Sequence, residues 1–241
     1  VRVWAEKEMR NLIRMNQAGI PCPQALQLRS HVLIMSFIGK QGWAAPRLKD
    51  AVLTAEQYKD AYGQVIKHMR TLFHKCRLVH ADLSEYNILY YKSTCYIIDV
   101  GQAVEHDHPS ALEFLRRDSE HINQYFHKNN VLTMTTRELF DFVIDATLQD
   151  DQVEQYLEKV QQSVETRKQT TVEQEIEETV FKQSFIPRTM DDVAGEDFLL
   201  DRYKALSTGD TTSVYYRKVL GLNNQLRGAD AKPDLLKTEE D

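Results

Sequence analysis

The sequence predicts an α+β fold, mostly helical, with a few short antiparallel hairpins and a helical C-terminal extension. Three observations lead there. Apolar residues recur at helical spacing over 2–18, 55–75 and the stretch after Pro109. Two pairs of short apolar runs, 25–29 with 31–39 and 88–91 with 95–99, are each split by a few polar residues. After about Asp150 polar residues dominate and core positions thin out.

The chain has 241 residues, a net charge of −6 and 42% apolar residues, which suits one domain, alone or with an extension. No run approaches the ~18 apolar residues of a membrane span, and no secretory signal is visible, so no membrane partner is expected. Cys22, Cys76 and Cys95 are scattered and form no C-x-x-C, which argues against a structural zinc site and fits a reducing compartment. The mild acidity gives no general attraction to nucleic acid. "VRVWAEKEMR" opens without Met and already in a helical pattern, as expected of a piece of a longer chain.

The first helix, over 2–18, has Trp4, Leu12, Ile13 and Met15 as apolar members and Gly19 as its C′ stop. "IPCPQ" interrupts the chain. "ALQLR" and "HVLIMSFIG" read as strands about Ser30-His31, the second apolar enough to be buried. "GKQGWAAPRLKD" reads as a loop. Over 55–75, Tyr58, Tyr62, Val65, Ile66, Met69, Leu72 and Phe73 share one helical stripe. "ILYY", "KST" and "CYIID" read as strand, turn and strand. A further helix starts with Pro109 as its first residue and buries Leu112, Leu115, Ile122 and Phe126. Thr135 and Glu138 offer a capping box before Leu139, Phe140, Phe142 and Val143. Val153, Tyr156, Leu157, Val160 and Val164 mark one more helix. Beyond it, Ile176, Val180 and Phe181 are the anchors, and short helices and a frayed last dozen residues are expected.

The chemistry concentrates in "HADLSEYNILYYKSTCYIIDV", residues 80–100. If Asn87 pairs with Asp99 across a hairpin centred on Ser93, their side chains converge at its open end, since antiparallel partners sit about 4.5–5.5 Å apart. An amide oxygen and a carboxylate there suit a hard cation such as Mg²⁺. Asp82, just before the hairpin, is placed to orient or deprotonate a nucleophile. Each residue alone has a structural reading too: a turn cap, an Asx turn, a strand-end acid. Together they match the phosphoryl-transfer pattern D-x-x-x-x-N followed by an acid. Glu8 lies between Trp4 and Leu12 on one helical stripe, where it either meets a cation or extends to water.

"LVHADLSEYN", "YIIDVGQAVEHDHPSALEFLRRD" and "WAEKEMRNL" resemble the RIO family of atypical protein kinases, most closely its RIO-one type. The resemblance runs from Val1 to about Ile144 and continues more weakly through "FIPRTM". It implies a trimmed protein-kinase fold: a partial N-lobe over 1–40, a helical C-lobe with a catalytic hairpin over 41–148, and a helical extension over 149–241. It implies ATP with Mg²⁺ or Mn²⁺, and a cytoplasmic role in maturing the small ribosomal subunit, with rRNA and ribosomal or assembly proteins as partners. By the same resemblance Asp82 matches the catalytic aspartate, and Asn87 and Asp99 the metal-binding pair. Glu8 matches the helix-C glutamate, Met35 the gatekeeper, and Ser36, Phe37 and Ile38 the hinge that holds adenine. Ser84 and Glu85 fall at further nucleotide-side positions.

Ser84 replaces the usual catalytic-loop lysine, and Ala81 the usual arginine. The chain runs from Asp99 almost directly into the Pro109 helix, with no A-P-E element, and Gly101 stands where the family usually has serine. Family members are accordingly thought to act largely as ATPases, with the Asp99 position able to take a phosphoryl group. No G-x-G-x-x-G or V-A-I-K lysine occurs, so the chain as given is expected to bind ATP poorly. His106, Asp107 and His108 read as a helix cap or a metal cluster, Arg116 and Arg117 as a solvated face or a phosphate or RNA contact. The 152–185 helices read as a lid, a ribosome contact or packing. A small-molecule kinase of the aminoglycoside or choline type and a non-catalytic pre-ribosome scaffold are the rival functions.

Overall fold

The computed structural model describes residues 2–166 and 179–181. The chain divides into two compact units, Val1–Val143 and Ile144–Asp241. The readings of Ile176, the short helices around "FIPRTM" and the C-terminal dozen lie outside the described residues.

Helix α1, Arg2–Gln17, buries Asn11, Leu12 and Met15. It ends as its glycine requires: Gly19 has φ +79°, Ile20 N–H donates to the Met15 carbonyl at 3.0 Å, and Gly19 N–H to Asn16 at 3.1 Å. Trp4 is 62% exposed, so the apolar stripe becomes core only in its C-terminal half. Strands β1, Ala25–Arg29, and β2, Val32–Met35, pair antiparallel. The expectation that β2 is buried is overturned, since Val32 is 52% and Ile34 47% exposed. Helix α1 packs on this two-stranded sheet, and Leu26, Val32 and Ile34 are left exposed.

The expected loop over 39–50 contains structure. Strand β3, Gly39–Lys40, pairs with β4, Trp43–Ala44, and a 3₁₀ turn follows at Leu48–Asp50. Gly39 is required here, because a Cβ would run into the Trp43 backbone carbonyl. Helix α2, Ala55–His74, opens on a Thr54–Gln57 capping box and buries Tyr62, Val65, Ile66, Met69 and Leu72. Helix α3 is Ala111–Lys128, so the expected start at Pro109 is corrected. A turn closed by Ala111 N–H on the His108 carbonyl comes first, with Pro109 inside it. His108 Nδ1 accepts the Ser110 N–H at 3.1 Å, but Ser110 is itself the N-cap residue and no side chain caps the helix, so the expected cap from His106–His108 is not formed.

Helix α4, Thr136–Ile144, opens on the Thr135–Glu138 box, with both reciprocal bonds formed. A buried polar triad ties α2, α3 and the α4 entrance. Tyr62 Oη donates to Asn123 Oδ1 at 3.0 Å and accepts the Met134 N–H at 3.1 Å, while Asn123 Nδ2 donates to the Met134 carbonyl at 2.9 Å. Phe126 packs edge-on against the Tyr62 ring at 5.2 Å. In the second unit, α5, Val153–Thr166, buries Tyr156, Val160 and Val164. Phe181 is buried, but Val180, expected as an anchor, is 46% exposed.

Strand β5, Leu78–Val79, pairs with β8, Val104–Glu105, and β6, Ile88–Tyr91, with β7, Thr94–Ile97. The β6–β7 register differs from expectation. Tyr91 faces Thr94 and Ile88 faces Ile97, so the turn is the two residues Lys92 and Ser93, at φ +50° and +59°. Two consecutive positive φ values mark a type I′ turn. Asn87 therefore lies opposite Ile98, whose N–H donates to the Asn87 carbonyl at 3.0 Å, and Asp99 falls one residue beyond. The Asn87–Asp99 pairing is overturned. Neither turn residue is a glycine or asparagine, so replacing Lys92-Ser93 with Asn-Gly is expected to raise stability by ~1 kcal/mol in urea unfolding.

Helix α2 clamps the hairpin through two side chains. Gln64 Nε2 donates to the Ser93 carbonyl at 2.8 Å and Gln64 Oε1 accepts the Cys95 N–H at 2.9 Å. His68, beside Cys95, has a buried Nε2 with no partner, and burial lowers its pKa from 6.5 to about 4. Its folded pKa lies below the unfolded one, so its contribution is present above pH 6.5 and lost as pH falls toward 4. His68→Gln is therefore expected to reduce the stability lost between pH 7 and pH 5 by up to ~2 kcal/mol, measured by urea unfolding at both pH values.

Candidate active site

The loop between β5 and β6 holds Asp82 in solvent on a rigid backbone. The flanking N–H groups of Ala81 and Leu83 donate to Asp118 Oδ2 and Oδ1, each at 2.9 Å. Asp118 sits on α3 and is 2% exposed. Burial pushes its carboxyl up to about 7, against the pull of those two N–H groups, and the nearby Asp82 charge adds to the rise. Ala81 is held at φ +70°, a conformation a residue with a Cβ rarely adopts. The Asp118 bonds fix that strained residue and so aim Asp82.

Asn87 closes the same loop from the other end. Its Nδ2 donates to the Asp82 carbonyl at 2.8 Å and to Asp82 Oδ2 at 3.2 Å. Both donor contacts turn the amide nitrogen inward, which leaves Asn87 Oδ1 with no donor among the described residues. Asp99 is exposed and accepts no hydrogen bond among them. Its φ of +58° breaks strand geometry one residue past the hairpin, so its direction is set by this residue and not by the register. The free amide oxygen of Asn87 and the Asp99 carboxylate are hard oxygen donors of the kind a Mg²⁺-type cation takes, and among the described residues no cluster of three or more His, Cys, Asp or Glu side chains is placed to share an ion.

Two buried side chains support these acids from beneath. His80 is 2% exposed, and its Nε2 lies 3.0 Å from the Ile98 carbonyl, which selects the Nε2–H tautomer. Burial lowers its pKa, opposed by the Ile98 bond and by the charges of Asp82 and Asp99. Asn11 of α1, also buried, donates from Nδ2 to the Val100 carbonyl at 2.8 Å, fastening the residue after Asp99. Glu8, half-buried on α1, forms no ion pair among the described residues, so the expected cation is not seen beside it. Its charged neighbour is Asp99: burial first, then the Asp99 charge, raises the Glu8 pKa.

Ser84 and Glu85 line a cleft of about 760 Å³ together with Asp82. Met35 is the last residue of β2, and Ser36, Phe37 and Ile38 follow it at the exit of the strand. There Ser36 N–H donates to the Gln24 carbonyl at 2.8 Å, and the Ile38 carbonyl accepts the Ala45 N–H at 3.0 Å. The Ser36 carbonyl and the Ile38 N–H have no partner among the described residues, so an acceptor and a donor are free for a planar heterocycle. Sequence reasoning missed Asp118, His80 and Asn11. The available signal was periodic: Asp118 sits between Leu115 and Ile122 on the apolar stripe of α3, where a charge needs a buried purpose.

Residues 1–139 match the RIO domain family. The chain is 51% identical over 236 residues to the serine/threonine-protein kinase rio1 of Dictyostelium discoideum, covering 98% of this chain and 41% of that protein. It is 44% identical over 247 residues to human serine/threonine-protein kinase RIO1, covering 99% of this chain and 44% of that one. The chain thus spans less than half the length of these curated relatives. It also aligns with the crystal structure of an ADP/Mg²⁺-phosphoaspartate complex of the Rio2 kinase from Chaetomium thermophilum. That match is 20% identical, has a TM-score of 0.46, and covers 67% of this chain and 55% of that one.

Proposed function

The chain belongs to the RIO domain family, and from that premise we propose that it carries the catalytic loop of an atypical serine/threonine protein kinase or ATPase. The observation that carries the reading is the loop itself: a solvent-facing Asp82, bracketed by Asp118 and hydrogen-bonded to an Asn87 whose Oδ1 is left open. Asp82 accepts the proton of the attacking hydroxyl, from water or from a Ser/Thr side chain. Asn87 Oδ1 and the Asp99 carboxylate hold Mg²⁺, or Mn²⁺ in its place, which when bound neutralises charge on the phosphate oxygens of ATP. The free Ser36 carbonyl and Ile38 N–H take adenine, with Met35 and Phe37 beside it. Ser84 and Glu85 border the phosphate side, and Glu8 lies near Asp99 on the nucleotide side. Asp99 is also the proposed acceptor of a transient phosphoryl group. By the family resemblance, the protein works in the cytoplasm on precursors of the small ribosomal subunit.

Incubation of the full-length protein with γ-labelled ATP and Mg²⁺ tests this. A hydroxylamine-sensitive label is expected, absent from Asp99→Ala. A label that persists in that variant would refute Asp99 as acceptor, and the absence of any Mg²⁺-dependent turnover would refute the reading as a whole.

A further inference from the structure

Two opposing demands act on the proton of Asp118. Its Oδ1 accepts the Leu83 N–H and its Oδ2 the Ala81 N–H, each at 2.9 Å. These bonds favour the anion, because the acid form turns one oxygen into a hydroxyl that needs an acceptor of its own. Burial favours the acid. Asp118 is buried on α3 and forms no ion pair among the described residues. Of the charged groups acting on it, Asp82 on the loop favours the acid and Arg117 on its own helix the anion. His80, at the β5 end of the loop, is buried too, but its Nε2 is engaged by the Ile98 carbonyl and the charges it meets are those of Asp82 and Asp99. Burial weighs most, and the Asp118 carboxyl is pushed up to about 7, so both forms are populated near neutral pH.

We propose that Asp118 is a proton-operated latch on the catalytic loop: the anion holds the Ala81 and Leu83 N–H groups and aims Asp82, and the acid lets that aim go. The effect on turnover rests on the phosphoryl-transfer reading above; the effect on the loop does not. One proton passes between the carboxyl and solvent, and no other covalent bond changes. In the acid form the hydroxyl oxygen is the weaker acceptor, so one of the two N–H bonds loosens. The two bonds flank Asp82 on either side, and Ala81, at φ +70°, relaxes when its hold weakens.

Turnover and stability respond to this proton in opposite directions. The folded pKa of Asp118 lies above the ordinary value of 3.8, so its contribution to stability is fully present below pH 3.8 and is lost as pH rises to about 7. The anion that aims Asp82 is thus the form the fold holds less readily. Over the interval in which Asp118 ionises, activity rises while this contribution to stability falls, a combination that a carboxyl with a purely structural role does not produce.

NMR on the full-length protein, ¹⁵N-labelled at alanine and leucine, tests the latch without relying on turnover. The Ala81 and Leu83 amide shifts are followed across neutral pH. They are expected to move together with one midpoint near 7, and Asp118→Asn, which has no carboxyl to ionise, is expected to abolish the movement. Arg117→Gln removes the cation that favours the anion, at an exposed position, and is expected to raise the midpoint; it serves if Asp118→Asn does not fold. ATP turnover with Mg²⁺ is measured in parallel. From one pH unit above the midpoint to one below it, wild-type kcat is expected to fall by up to ~10-fold, toward that of Asp118→Asn, which stays level. Amides that do not titrate in this range, or that titrate equally in Asp118→Asn, would overturn the proposal. So would a midpoint that is unmoved or lowered in Arg117→Gln, or wild-type turnover that stays level while the amides titrate. Titrating amides with no turnover in any form would support the latch and count against phosphoryl transfer alone.

Discussion

Asp82→Ala is expected to lower phosphoryl transfer by ~10²–10⁴-fold while leaving the urea midpoint nearly unchanged. The two halves of that expectation have separate origins. Asp82 is exposed, and its carboxylate accepts one long bond, from Asn87 at 3.2 Å. Little folding energy depends on that bond, because solvent can replace the lost partner. The position of the residue is held by its neighbours: Asn87 Nδ2 reaches the Asp82 carbonyl, and Asp118 takes the N–H groups on either side. An alanine would therefore occupy the same place with no oxygen to accept a proton. The measurement is kcat beside equilibrium unfolding in one buffer. A loss below ~10-fold would remove Asp82 from the proton-accepting role.

Asp118→Ala is expected to be costly for both folding and catalysis. It strands two backbone donors, the buried Leu83 N–H and the part-buried Ala81 N–H, and a buried unsatisfied group costs about 1–3 kcal/mol. Some of that is returned, since a buried carboxyl with a raised pKa is itself unfavourable as the anion. The Ala81 backbone at φ +70° then has nothing to hold it, and relaxation of that residue shifts Asp82. A net loss of ~2–4 kcal/mol is expected in urea unfolding, with kcat falling by an amount comparable to that in Asp82→Ala. Asp118→Asn keeps one acceptor oxygen and is expected to lie between the two. Ala81→Gly in the Asp118→Ala background is expected to restore part of the stability, because glycine adopts this φ without strain. A change within ~0.5 kcal/mol for Asp118→Ala would show that the loop does not depend on these bonds.

Much of this protein is legible along the chain because it depends on contacts a few residues apart. The helical stripes of α2 and α3 follow from the 3.6-residue period. The Gly19 stop and the Thr135–Glu138 box are closed by bonds within six residues. The Asp82–Asn87 contact is of the same kind, a five-residue loop folded on itself. "KST" illustrates where such reasoning ends. Its three residues permit a two- or a three-residue turn, and the choice shifts every partner along the hairpin by one. The observed register puts Ile88, Tyr90, Cys95 and Ile97 on the buried face, with Gln64 of α2 gripping the turn. Burial of that face and the grip from α2 select the register, and neither is written in the hairpin's own residues.

The order of the helices, the existence of the 88–97 hairpin and the spacing of Asp82, Asn87 and Asp99 are readable along the chain, because they follow from local backbone geometry and residue chemistry. What aims those side chains is set by long-range packing. Asp118 reaches the loop across 35 and 37 residues, and Asn11 reaches Val100 across 89. Among the described residues Glu8 came to lie near Asp99 with no ion pair, and β2 came to have an exposed face, for the same reason. Which buried polar groups find partners, and which apolar faces find cover, depends on elements far apart in the chain arriving at one place, and pairwise packing of whole elements settles that.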